Sequence, residues 1–177
     1  MTLNRSRIAA VACAILAAAA LRLVPHPPNF TPIGAMALFS GAYLGRRVLA
    51  FAVPLAAMLL ADAVLGFYTG MWITYVGFAL VVLLGAVALQ RVTLLRLGGA
   101  ALASSVLFFA VSNFGTWAFS GMYPLSVAGL AACYVAAVPF FQNTVAGDLF
   151  YVALLFGGFA IAEHLLPKLR AGAVQPA

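Results

Sequence analysis

The sequence predicts an all-α fold: a polytopic bundle of transmembrane helices, with six spanning helices and a short helix on the outer face. Three observations predict it. Hydrophobic residues make up 66% of the 177 positions and charged residues only 7%, against roughly a quarter charged in a soluble domain. The mean hydropathy is +1.14. The apolar stretches come in lengths close to the about 17–25 residues that cross a bilayer as a helix. One integral membrane domain over residues 1–177 accounts for the chain, with no room for a second folded unit.

The spans are expected at about 7–24, 33–45, 48–66, 72–90, 97–119 and 143–166. The first follows Arg5 and Arg7 and stops at a run of four prolines, Pro25, Pro27, Pro28 and Pro32, which remove amide donors and favour extended backbone. The second is short and ends at Arg46 and Arg47. The third and fourth are separated by 67–71, and the fourth and fifth by the basic segment 91–96. A seventh apolar stretch, 126–141, carries Pro139 and runs into "FFQNT". Basic residues collect in cytoplasmic loops. With the N-terminus cytoplasmic, six crossings place 46–47, 91–96 and 168–170 inside and 25–32, 67–71 and 120–142 outside. A seventh would carry Lys168 and Arg170 out, so 126–141 is read as the outer-face helix and both termini as cytoplasmic. Arg22 is the exception, expected to snorkel to the outer interface. The first segment also resembles a secretory signal ending in "AAAALRL". Cleavage would leave five spans and put the basic loops on the wrong side, so retention is expected.

Several functions are excluded. The net charge of +6 is dispersed in pairs between apolar runs, which speaks against a nucleic-acid partner. There is no GxxxxGK[ST] loop, and Lys168 is the only lysine, so the usual P-loop ATP hydrolysis is absent. Cys13 and Cys133 make neither a disulfide framework nor a CxxC pair. No metal site, cofactor or catalytic residue is expected.

The polar residues that remain are unevenly placed. The three acidic residues, Asp62, Asp148 and Glu163, all lie in or beside apolar spans, where ionisable groups are costly and usually functional. Asp62, Asn113 and Asp148 lie about 6, 9 and 8 Å below the outer ends of their helices at about 1.5 Å per residue. Pairing and capping explain any one of them, and Asn143 is a credible N-cap for the last helix. A shared depth on one side is better explained by the floor of a pocket. His26, Asn29, Tyr68, Trp72, Trp117 and Asn143 come from the outer loops and helix ends, and aromatic walls above convergent polar groups suit a small solute. The candidate solute-binding set is therefore His26, Asn29, Asp62, Tyr68, Trp72, Asn113, Trp117, Asn143 and Asp148, under a pre-ordered lid at 25–32. Two carboxylates without a basic partner at that depth favour a neutral, cationic or metal-bearing solute, and an anionic one would be repelled unless Arg22 or His26 compensates. Glu163 and His164, beside Lys168, read as an ion-paired helix end. Ala10, Ala14 and Ala18 recur every four residues, a spacing that lets another helix approach.

The segments "PHPPNFTPIGAMALFSGAYLG", "LLADAVLGF", "SNFGTWAFSGMYP" and "CYVAAVPFFQNTVAGDLFY" are similar to an uncharacterised family of small bacterial membrane proteins described as transport proteins. The whole resembles the substrate-binding (S) components of energy-coupling-factor vitamin transporters. That resemblance implies a multi-pass protein of the bacterial cytoplasmic membrane that binds a vitamin- or cofactor-like solute and is not an enzyme. It also implies a transmembrane scaffold protein with two ATPases as partners, docked on Ala10, Ala14 and Ala18. The alternatives are a structural or assembly subunit and, further off, an intramembrane enzyme using His26 and Asp62 as acid and base.

Overall fold

A computed structural model describes residues 5–170. Six α-helices follow one another: α1 (Arg5–Ala20), α2 (Ile33–Leu44), α3 (Val48–Leu65), α4 (Met71–Ala88), α5 (Leu94–Phe119) and α6 (Val127–Leu165). Short 3-10 turns at Leu21–Leu23 and Pro167–Leu169 follow α1 and α6, and no strand occurs among the described residues. α1 with its 3-10 extension, α3, α4, α5 and α6 are long and apolar enough to cross a membrane; α2, with 12 residues, is not.

The helices alternate in direction. The loops 24–32, 66–70 and 120–126 meet at one end, called here the proline end, and the loops 45–47 and 89–93 at the other. Of the nine Lys and Arg residues, Arg22 alone lies at the proline end; the remainder mark the arginine end.

α2 is the centre of the bundle and packs against all five other helices. Every residue from Ile33 to Gly41 is buried, so this helix needs no length to match a bilayer. Its small residues let neighbours in. A Cβ on Gly41 would fall on the Val82 carbonyl, and one on Gly85 would fall on the Leu38 backbone, so α2 and α4 cross backbone to backbone. Pro54 inside α3 has no amide to offer the Ala50 carbonyl. Ser40 of α2 supplies the missing donor, its Oγ bonding Ala50 O at 2.8 Å. That repair matters where no water reaches.

α6 differs from expectation. The stretches 126–141 and 143–166 form one continuous helix of 39 residues. Pro139 withdraws a donor from the Val135 carbonyl only, and Gln142, Asn143 and Thr144 are tolerated in a helix, so nothing there ends it. Asn143 is therefore not an N-cap. Ser126 is, its Oγ accepting from the Gly129 amide at 3.1 Å. At about 1.5 Å per residue the 39 residues reach about twice the roughly 30 Å of a hydrocarbon core. The extra length runs beside α5. Tyr134 Oη donates to Ala110 O at 2.6 Å, and Trp117 Nε1 donates to Pro124 O at 2.9 Å across the turn.

The outer surface of the helices is apolar: Leu60, Val64, Val106 and Ile161 are each more than half exposed. So much exposed apolar surface suits lipid, not water.

Candidate functional site

The site exists because α2 starts late. After the 3-10 turn the chain drops from the rim to Ile33 at the centre. Pro28 and Asn29, with φ 63° at Asn29 and the Phe30 amide on Pro27 O at 3.1 Å, fit a type II turn. Gly147 lets the strand pass against α6: a Cβ there would sit 3.2 Å from Phe30 Cα and Thr31 N. Above the first turn of α2 a cavity of about 230 Å³ is left between α2, α4, α5 and α6.

Asp148 stands in its wall, only 4% exposed. Ser105 Oγ donates to its Oδ2 at 2.7 Å. Ser104 Oγ, fully buried beside it, lines the same cavity and makes no well-formed hydrogen bond. The carboxylate fits because residue 34 is glycine; a Cβ there would overlap it. The rings of Phe78 and Phe108 stack with centroids 4.4 Å apart and form an apolar wall.

Asp62 is engaged elsewhere. Arg22 Nη1 lies 2.9 Å from Asp62 Oδ1, with side-chain exposures of 12% and 2%, and Tyr75 Oη donates to Oδ2 at 2.8 Å. Arg22 thus turns inward to line the cavity instead of snorkelling outward. The expectation that both carboxylates lack a basic partner fails for Asp62, which is paired with Arg22.

Two neighbouring hollows extend the site. One of about 460 Å³ shares Tyr68 and Thr74 with it; another, of about 410 Å³, shares Asn29, Phe108 and Thr144 and includes Asn113. The fold therefore gathers Asn29, Tyr68 and Asp148 around one cavity, ties in Asp62 through Arg22 and sets Asn113 in the adjoining hollow, its Nδ2 on Phe109 O at 2.8 Å. The other four residues lie on the rim. His26 is exposed, with Nδ1 3.0 Å from Pro27 O. Trp72 packs edge-on against Phe119, and Trp117 closes the α5–α6 turn. Asn143 Nδ2 donates to Pro28 O at 3.0 Å, tethering the proline loop to α6. Sequence reasoning missed Gly34, Ser104 and Ser105. The adjacent serines in an apolar span were the available signal.

The arginine end is built differently. Arg7, 3% exposed, pairs with Glu163 across the bundle, so Glu163 is ion-paired to α1. Arg7 Nη1 also donates to Leu169 O at 2.7 Å. Its guanidinium lies 5.2 Å from the Tyr43 ring centre and 5.5 Å from that of Phe159. Along the side, Ala10, Ala14 and Ala18 face Gly158 and Ala162 across an apolar groove of about 420 Å³. No group of three His, Cys, Asp or Glu side chains comes together among the described residues.

An apolar exterior, a buried central helix and a polar hollow at one end define a helical membrane protein. The chain belongs to a family of unknown function, DUF6580, which matches residues 2–169. No curated protein and no solved structure matches it.

Proposed function

We propose that this protein binds a small, vitamin- or cofactor-like solute in the cavity at the proline end and serves its uptake across a bacterial cytoplasmic membrane. The observation that carries the reading is Asp148: a carboxylate 4% exposed, in a hollow it shares with the buried Ser104 hydroxyl. Buried charge inside a membrane bundle is expensive and is kept where it acts on a ligand. The gathering of basic residues at the opposite end supports an outward-facing cavity and cytoplasmic termini under the positive-inside rule. With that orientation there are six crossings, and the first part of α6 stands on the outer side.

No P-loop is encoded in the sequence, so the usual P-loop ATP hydrolysis is not among its own means of driving uptake. A transmembrane scaffold with ATPases, as for an S component, is the partner proposed, and the groove along Ala10, Ala14 and Ala18 is the surface it would use. That same groove, where a Cβ on Gly158 would meet nothing, favours the second reading, a structural or assembly subunit. The enzyme reading draws little support, since Asp62 is held by Arg22 and Tyr75 while His26 is exposed.

The test is native mass spectrometry of the detergent-extracted protein. A small molecule is expected to co-purify with the wild type and to be lost from Asp148→Ala. Equal occupancy in wild type and Asp148→Ala overturns the assignment.

A further inference from the structure

We infer that the solute is a hydrogen-bond-donating cation, a protonated amine or amidine carried on a flat ring, with its nitrogen placed on Asp148 and Ser104. The inference rests on the proposed solute site and names the class of compound it takes. It begins from a charge inventory of the cavity. The walls contain one cation, Arg22, and that charge is matched by Asp62 at 2.9 Å. Asp148 has no cationic partner among the described residues. Its Oδ2 accepts from Ser105 at 2.7 Å and Ser104 lies close by, which leaves open part of the about four acceptor positions of an ionised carboxylate. The first turn of α2 lies against it at Gly34, but a helix N-terminus offers only about half a charge. The site therefore holds an excess negative charge and spare acceptor capacity in a place with little solvent.

Ser104 makes the match more specific. Its buried hydroxyl has no well-formed bond of its own and can accept a second N–H from the group that Asp148 binds. Leaving such a hydroxyl unsatisfied is unfavourable, so a ligand with two or more N–H donors completes both residues at once. The remaining wall is the Phe78–Phe108 stack, with an interplanar angle of 15°. A flat ring lies well against such a surface, and a cation gains from its faces. An anionic solute meets the reverse situation. It would have to break the Arg22–Asp62 pair to find a cation and would still face Asp148. A sugar-like neutral solute would fill the space and leave the Asp148 charge unmatched.

Three probes of one size separate the classes: benzylamine, benzyl alcohol and benzoate, titrated calorimetrically into the intact detergent-solubilised protein at neutral pH. Benzylamine, protonated there, is expected to bind about 10- to 100-fold more tightly than benzyl alcohol, the worth of a hydrogen bond between charged groups. Benzoate is expected to bind weakest. Asp148→Asn keeps the shape and an oxygen for Ser105, and should reduce the preference for the amine to within about two-fold. Ser104→Ala should weaken benzylamine several-fold and leave benzyl alcohol unchanged. The wild-type series stands by itself should Asp148→Asn not fold. Benzyl alcohol or benzoate binding as tightly as benzylamine overturns the cationic class while leaving a solute pocket in place. Absence of binding by all three probes, with a co-purified molecule still lost from Asp148→Ala, overturns the ring-amine assignment alone. Absence of both overturns this inference together with the uptake reading.

Discussion

The two ends of the bundle each pair an arginine with a carboxylate, with different results. At the arginine end Arg7 is used up: Glu163, the Leu169 carbonyl and the faces of Tyr43 and Phe159 surround it. That end is a clamp joining α1, α2, α6 and the final 3-10 turn. At the proline end the pairing stops one group short. Arg22 and Tyr75 satisfy Asp62, while Asp148 has only the hydroxyls of Ser105 and Ser104 beside it and no cation among the described residues. A fully satisfied buried network adds rigidity, whereas an ionisable group inside a membrane bundle without a charged partner is a candidate for function. If that contrast is right, substitutions at the arginine end should act on stability and those at the proline end on binding.

The largest effect is expected from Arg7→Ala. Removing one partner of a buried pair strands the other, and about 3–5 kcal/mol is the usual loss. The midpoint of unfolding in mixed detergent should fall accordingly, or the protein should fail to accumulate. Arg7→Lys keeps the charge but loses the planar contact with Tyr43 and Phe159, so it should recover only part of the loss. Full stability in Arg7→Ala would remove the clamp from the account.

Glycines in α2 extend the contrast within one helix. Gly41 meets the α4 backbone, which has no room to yield; Gly34 meets the Asp148 side chain, which turns aside. Gly41→Ala should destabilise by about 1–3 kcal/mol, the range for overpacking. Gly34→Ala should change stability less and displace the carboxylate, lowering solute occupancy in native mass spectrometry. Reversed behaviour of the two variants would break the division of labour between the halves of α2.

How far the sequence foretold this follows from whether a feature is local. Helix positions are local: each of the first five apolar runs predicted its helix, and even the shortness of α2 was visible between Pro32 and Arg46. Asp148 was legible because a carboxylate in an apolar span stands out. The α6 join was not, because "FFQNT" with Pro139 nearby looks like a break, although neither stops a helix whose other hydrogen bonds remain. Partnerships were the least legible. Arg22 and Asp62 are 40 residues apart (22 to 62), and Arg7 and Glu163 lie at opposite ends of the chain. Nothing in either segment names its partner. Gly34 shows the same limit, since its role depends on a side chain from α6.

Ser40→Ala tests a smaller feature on the arginine side. The hydroxyl serves the Ala50 carbonyl that Pro54 leaves open, and hydrogen bonds between membrane helices average about 0.6 kcal/mol. A loss near that size is expected. Restoring the helical amide with Pro54→Ala should make Ser40→Ala nearly neutral, a coupling measurable in a double-mutant cycle. Independent, additive effects would mean that the serine does not serve the proline.

The smallest effect on stability, and the sharpest on the comparison, belongs to Asn143→Ala. Its amide holds the Pro28 carbonyl and so fixes the proline loop to α6. The bond lies at a partly exposed rim, where a hydrogen bond contributes about 0.5–1.5 kcal/mol at most. The prolines keep the loop stiff without it, because their restriction acts on the backbone itself. The unfolding midpoint should therefore barely move, while the loop swings more freely over Asn29 and the cavity mouth and the bound solute leaves several-fold faster. Replacing 25–32 with a Gly/Ser linker removes tether and stiffness together and should weaken binding further, still without unfolding the bundle. An unchanged dissociation rate in both variants would reduce the loop to a connector and leave the selectivity of the site to Asp148, Ser104 and the aromatic wall.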